Sequence, residues 1–82
     1  MDTQEIIIDF ETEVISLLKD YGLSEDESQM YLSLLRIGSG KASEISYNSK
    51  IDRVRGYKIL DNLKNQGFVT STLSSPTIFS AI

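Results

Sequence analysis

Arg53, Arg55 and Lys58 crowd the six residues that follow Asp52, and their types set the chemistry open to them. An arginine guanidinium is a planar fork of donors that pairs with O6 and N7 of guanine, whereas a lysine acts as a point charge suited to phosphate. Val54 and Tyr57 lie in the same stretch. Tyr57 suits either core packing or a phosphate contact, and Lys41 and Lys50 upstream suit either phosphates or plain surface. Read as a solvated helix face, the same cations would do nothing. What favours a duplex is their position at the head of a helix, whose free N–H groups also attract phosphate.

Other chemistries are closed. The chain has neither Cys nor His, so it offers no disulfide, no Cys/His zinc site, no thiolate nucleophile and no imidazole base. No converging nucleophile, base and oxyanion donor is visible, so the chain reads as a non-enzyme without cofactor or metal. The acidic run Glu25-Asp26-Glu27 suggests a cation site, but a helix start explains it better. The longest apolar run, Ile6-Ile7-Ile8, is far short of the roughly 18–20 residues that span a bilayer. The N-terminus lacks the features of a signal peptide, and a cytoplasmic protein without membrane contact is expected.

The net charge of −4 hides an asymmetry. Residues 1–30 carry nine acids and one base, a net of −8, while residues 31–82 carry seven bases and three acids, a net of +4. Six of those bases fall between Lys41 and Lys64. Charge placement selects partners more than the total does.

The elements that must hold these residues follow from periodicity and punctuation. A first helix runs from about Gln4 to Asp20, with Thr3 as N-cap and Gly22 at C′; Ile7, Phe10, Val14, Leu17, Leu18 and Tyr21 fall at helical spacing. The β-branched run leaves residues 5–9 open between helix and strand. Ser24 and Glu27 form a capping box for a second helix whose expected buried stripe is Met30, Tyr31, Leu34, Leu35 and Ile37. It stops at Gly38-Ser39-Gly40. An extended Lys41-Ala42 leads to a short helix, Ser43 to Ser49, in which Ala42, Ile45 and Tyr47 are the candidates for the core. The fourth helix starts at the N-cap Asp52, buries Ile59, Leu60 and Leu63, and ends at Gly67. Two strands, from Phe68 to Leu73 and from Thr77 to Ile82, flank the turn Ser74-Ser75-Pro76.

Two helices joined by a short turn, the second basic at its head and followed by a hairpin, are the parts of a winged helix-turn-helix. The expected fold is mainly α with a small β-hairpin and an additional N-terminal helix. Residues 22–82 would form the winged-helix core and residues 1–21 the added helix.

The sequence also resembles the TrmB-like archaeal transcriptional regulators of the winged-helix superfamily, over about residues 17–82. The resemblance is carried by Leu18 to Glu25, Tyr31 to Leu35, Ile37-Gly38, Ala42 to Ile45, Ile51 to Leu60 and Leu63 to Val69. It implies operator binding as a homodimer, with Arg53 and Arg55 at the family's two recognition-helix arginines and Tyr57 at its tyrosine. Ala42-Ser43 then matches the start of the positioning helix. Lys41, Ser43, Lys50, Arg53, Val54, Arg55, Tyr57 and Lys58 are the candidate DNA contacts. Three departures stand out: Asp52 in place of the usual proline, Gly56 in place of a valine-like core residue, and a wing without Lys or Arg. Gly56 is expected to remove packing, and the uncharged wing implies modest affinity per domain. Many relatives carry a further effector domain, so the chain reads as a minimal regulator or a fragment.

Two function classes stand at this point. One is a sequence-specific double-stranded DNA-binding regulator, dimeric through Ile6, Ile7, Phe10 and Val14. The other is a winged-helix module that binds protein within a transcription complex, which the acidic first third and uncharged wing favour.

Overall fold

The structure, a computed structural model, describes residues 3–82, with side chains from Asp9 onward. The elements run α1 (Thr3–Asp20), α2 (Glu25–Ile37), β1 (Ser39–Gly40), α3 (Ala42–Ser49), α4 (Arg53–Asn65), β2 (Val69–Ser71) and β3 (Phe79–Ala81). Residues 5–9 are helical, and α1 already includes Thr3.

Local signals set the boundaries. Ser24 Oγ accepts from the Glu27 N–H at 3.1 Å while Glu27 Oε1 accepts from the Ser24 N–H at 2.9 Å, which satisfies two donors left open at the start of α2. Asp52 Oδ2 accepts from the Arg55 N–H at 3.1 Å and satisfies one such donor at the start of α4. Gly38 closes α2 with φ +85°, and its N–H donates to Leu34 O at 2.8 Å. A Cβ is disfavoured in that left-handed region, so glycine is the residue that lets the chain turn there.

The sheet is larger than the expected hairpin. β3 lies between β1 and β2, antiparallel to both, with Gly40 opposite Phe79 on one side and Ser71 opposite Phe79 on the other. The two-residue β1 has no periodicity for a sequence to show, because it exists only by pairing with β3. It ties the turn after α2 to the base of the wing.

Leu18, Leu23, Met30, Leu34, Ala42, Ile45, Ile59, Leu60, Leu63, Val69 and Phe79 form one buried cluster. Tyr31 and Phe68 close its edge with ring centroids 5.5 Å apart in a T-shaped contact. The stripe expected on α2 needs correction. Met30 and Leu34 are buried and Tyr31 half-buried, but Leu35 and Ile37 are exposed, while Ser28, Leu32 and Ser33 are buried. Leu32 lies ~200° around the helix from Met30, on the side away from α3 and α4. α1 packs on α2 as well, so α2 is covered on two sides. Tyr47, a candidate for the core, is instead 88% exposed. Ala42, Ile45 and Ser46 form the buried face of α3 and leave Tyr47 outside it.

Candidate nucleic-acid interface

Ile59, Leu60 and Leu63 anchor α4 to the core, with Gly56 buried in line with them. That anchoring fixes where the rest of the helix points. At ~100° per residue the centre of its outer face passes through Val54 and Lys58, both exposed. Arg53 and Arg55, two residues apart, fall on opposite flanks of that line. Val54 is 68% exposed, between the two arginines in sequence.

The two arginines also differ in surroundings. The Arg53 guanidinium carbon sits 6.0 Å from the Tyr57 ring centroid, within cation–π range. Arg55 reaches across to the first turn of α2, where its Nη2 pairs with Asp26 Oδ2. That partner was not foreseen from the sequence. The Glu25-Asp26-Glu27 run reads as helix capping, and only the crossing of α2 over α4 brings one of its carboxylates to Arg55. Glu25 pairs with Lys19 at 2.7 Å, which holds its carboxyl below the usual range, and Glu27 completes the capping box.

α3 and the turn flank this surface. Lys41 is exposed at the head of α3, where its N–H donates to Glu44 Oε1 at 3.1 Å. Lys50 is exposed in a left-handed conformation (φ +60°) at the turn between α3 and α4, with its N–H donating to Tyr47 O at 3.2 Å. Ser43 is half-buried and lines an open groove with Ile37, Ser39, Glu44, Tyr47 and Asn48. Asn48 was not singled out by sequence and Tyr47 only as a core candidate; the register of Ala42 and Ile45 is the signal that would have placed both outward. The wing turn contains a cis Ser75–Pro76 bond, and Leu73 near its tip is fully exposed.

Gly56 does not leave the hole expected of it. A Cβ there would run into Ser46 Oγ and lie 3.2 Å from Ser46 Cβ and 3.4 Å from Met30 Cε. The space is already filled by Ser46, so glycine lets α3 and α4 approach closely. The correction concerns packing only; the helix-propensity penalty of glycine remains.

Among the described residues no group of His, Cys, Asp and Glu could hold a metal ion, and no helix is long and apolar enough to cross a membrane.

Residues 18–82 match the family model described as sugar-specific transcriptional regulator TrmB. The chain belongs to the TrmB family. A relative is the HTH-type sugar sensing transcriptional regulator TrmBL1 of Pyrococcus furiosus, 33% identical over 72 residues that cover 88% of this chain. The chain spans 21% of that relative's length. Among solved structures, TrmBL2, an archaeal chromatin protein with a novel mode of DNA binding, superposes with a TM-score of 0.80 at 20% identity. That match covers 88% of this chain and 28% of TrmBL2. A MarR family protein from Bacillus stearothermophilus follows with a TM-score of 0.71 at 14% identity, covering 96% of this chain and 57% of that one. These two likenesses show the winged-helix fold. Both the family model and TrmBL1 are described as transcriptional regulators.

Proposed function

We propose that this TrmB-family chain is a sequence-specific double-stranded DNA-binding domain that lays α4 in the major groove. The observation that carries the reading is the outer face of α4, where Val54 and Lys58 are exposed between two flanking arginines at a capped helix start. An α-helix fits the B-DNA major groove, and its first turns reach the base edges. In this reading Arg55 reads guanine and Val54 meets a thymine methyl. Lys41, Lys50, Arg53, Tyr57 and Lys58 contact the backbone, with Ser43 at the head of α3 beside them. The domain acts as a homodimer through α1, in which Phe10 is exposed and Val14 half-buried against the core. Ile6 and Ile7, the other residues expected there, lie outside the described side chains.

Electrophoretic shift or anisotropy titration of the chain against its own upstream DNA at two salt concentrations tests this. Each phosphate neutralised contributes a log–log slope of about −0.9. Arg55→Ala should lose about 1–3 kcal/mol on the preferred duplex, whereas Lys58→Ala should weaken all duplexes alike and flatten the slope by about one. Full affinity of Arg55→Ala for the preferred duplex would remove Arg55 from the reading.

The wing favours a second reading. Its tip, Ser74 to Thr77, is uncharged and Leu73 is fully exposed beside it, a surface suited to a protein partner in a transcription complex. Salt-insensitive or absent duplex binding, together with a stable protein complex, would select that alternative.

A further inference from the structure

We infer that the domain grips the phosphates of one DNA strand and leaves the complement to Lys58; the inference rests on the DNA-binding reading above. Gly56 packs against Ser46 of α3 and Met30 of α2, so these helices border α4 on its two sides. Arg55 pairs with Asp26 in the first turn of α2, which marks its flank as the α2 side. Arg53 is ~160° away round the helix and therefore lies on the α3 side, beside Tyr57. With α4 in a major groove, the two backbones that border the groove run past these two flanks, one strand on each.

The flanks differ in charge. Lys41 and Lys50 stand at the two ends of α3, and neither has an ion-pair partner among the described residues. Arg53 lies against the uncharged Tyr57 ring and keeps its charge. Glu44 and Asp52, acids on this side, each accept a backbone N–H at a helix start, where the helix dipole offsets their charge. Lys50 also holds a left-handed φ of +60°, which Gly22, Gly38 and Gly67 hold elsewhere. A side chain is disfavoured in that region, so lysine in place of glycine is explained by a contact that its ammonium makes. The α2 side has no surplus cation. Lys19 engages Glu25, Arg55 engages Asp26, and Glu27 is paired with neither base. When Arg55 turns to a guanine, Asp26 is left bare beside the second strand, so in neither state does that flank offer net positive charge. The wing adds none, because residues 68–82 contain no charged residue. Lys58, exposed near the centre line of the outer face, is left as the cation for the second strand.

Phosphate ethylation interference tests this with the full chain, on a duplex that the wild type selects from a randomised pool. Ethyl groups that block binding should cluster on one strand of a half-site, with at most one blocking position on the complement. Where two half-sites are related by a twofold axis, the cluster should change strand between them. Lys50→Gly should remove one blocking phosphate from the cluster, weaken binding by up to about fivefold and flatten the salt slope by about 0.9. Its Tm should not fall, because glycine suits that backbone, so the loss belongs to the ammonium and not to the fold. Arg53→Gln should remove another phosphate of the same cluster, and Lys58→Ala should clear the position on the complement. Blocking positions shared equally by the two strands, or a cluster unchanged in both Lys50→Gly and Arg53→Gln, overturn the inference. Failure of the wild type to select or bind any duplex overturns the DNA-binding reading itself, and the two outcomes are separate.

Discussion

Ser46 and Gly56 make one contact and have to be read together. Ser46 is buried, and its Oγ finds no hydrogen-bond partner among the described residues. Gly56 is buried opposite it at the crossing of α3 and α4. A buried hydroxyl without a partner destabilises by about 1–3 kcal/mol, and a mid-helix glycine by about 1 kcal/mol against alanine. Each residue is unfavourable alone, and each makes the other fit. Gly56→Ala adds a methyl where Ser46 already stands, so it should lower stability by about 1–3 kcal/mol despite its better helix propensity. Ser46→Ala relieves the hydroxyl and should be neutral or stabilising by up to about 1 kcal/mol. In the double variant the loss from Gly56→Ala should shrink by at least half, because only the Cβ contact remains. Urea melts of the four proteins measure the coupling; additive effects would show that the two positions do not share the contact.

Among the elements, α1 and α2 are clamped by Arg36, whose Nε and Nη2 donate to Glu11 Oε1 and Oε2 at 2.9 and 2.7 Å. The Arg36 guanidinium holds the Glu11 carboxyl below its ordinary 4.5. A carboxyl whose pKa is lower folded than unfolded adds stability above its unfolded value, and that stability is lost as pH falls through the folded value. The clamp should therefore act fully near neutrality and fade below about pH 4.5. Both side chains are substantially solvated, at 29% and 40% exposure, so it is worth at most about 1 kcal/mol, or a few degrees of Tm. Glu11→Gln should lower Tm by that amount at neutral pH and by much less in acid; an equal drop at both would show that charge is not the cause. Helices were legible in the sequence because caps and 3.6-residue spacing are local signals. Ser24, Glu27, Asp52 and Gly67 stand where those signals put them. β1, the burial of Leu32 and the Asp26–Arg55 pair were not legible, because each exists only where segments far apart in the chain meet. Within the candidate interface the basic head of α4 and its buried face of Ile59, Leu60 and Leu63 could be read directly, whereas the burial of Gly56 against Ser46 required the crossing of α3 and α4.

At the scale of the whole molecule, the proposed dimer and the proposed duplex contact respond to salt in opposite directions. Phe10, Leu17 and Tyr21 are exposed, and their spacing of seven and four keeps them within about 20° of one line along α1. Glu13 and Asp20 border that line, both exposed, so a second copy packed there brings acid toward acid. Screening relieves such repulsion while the apolar contact persists. Duplex binding, driven by displaced counterions, weakens under the same change. A copy is 44 × 24 × 22 Å, narrow enough in two directions for a pair to serve half-sites about 34 Å apart. Sedimentation should therefore show more dimer as salt rises, while operator affinity falls. Phe10→Glu with Leu17→Glu should give monomers that keep affinity for a single half-site and lose most of the gain from a second one in register. Dimers that survive both substitutions would move the interface off this face of α1. A half-site affinity that falls with them would mean that the changes reach α4 through the core and not through a second copy.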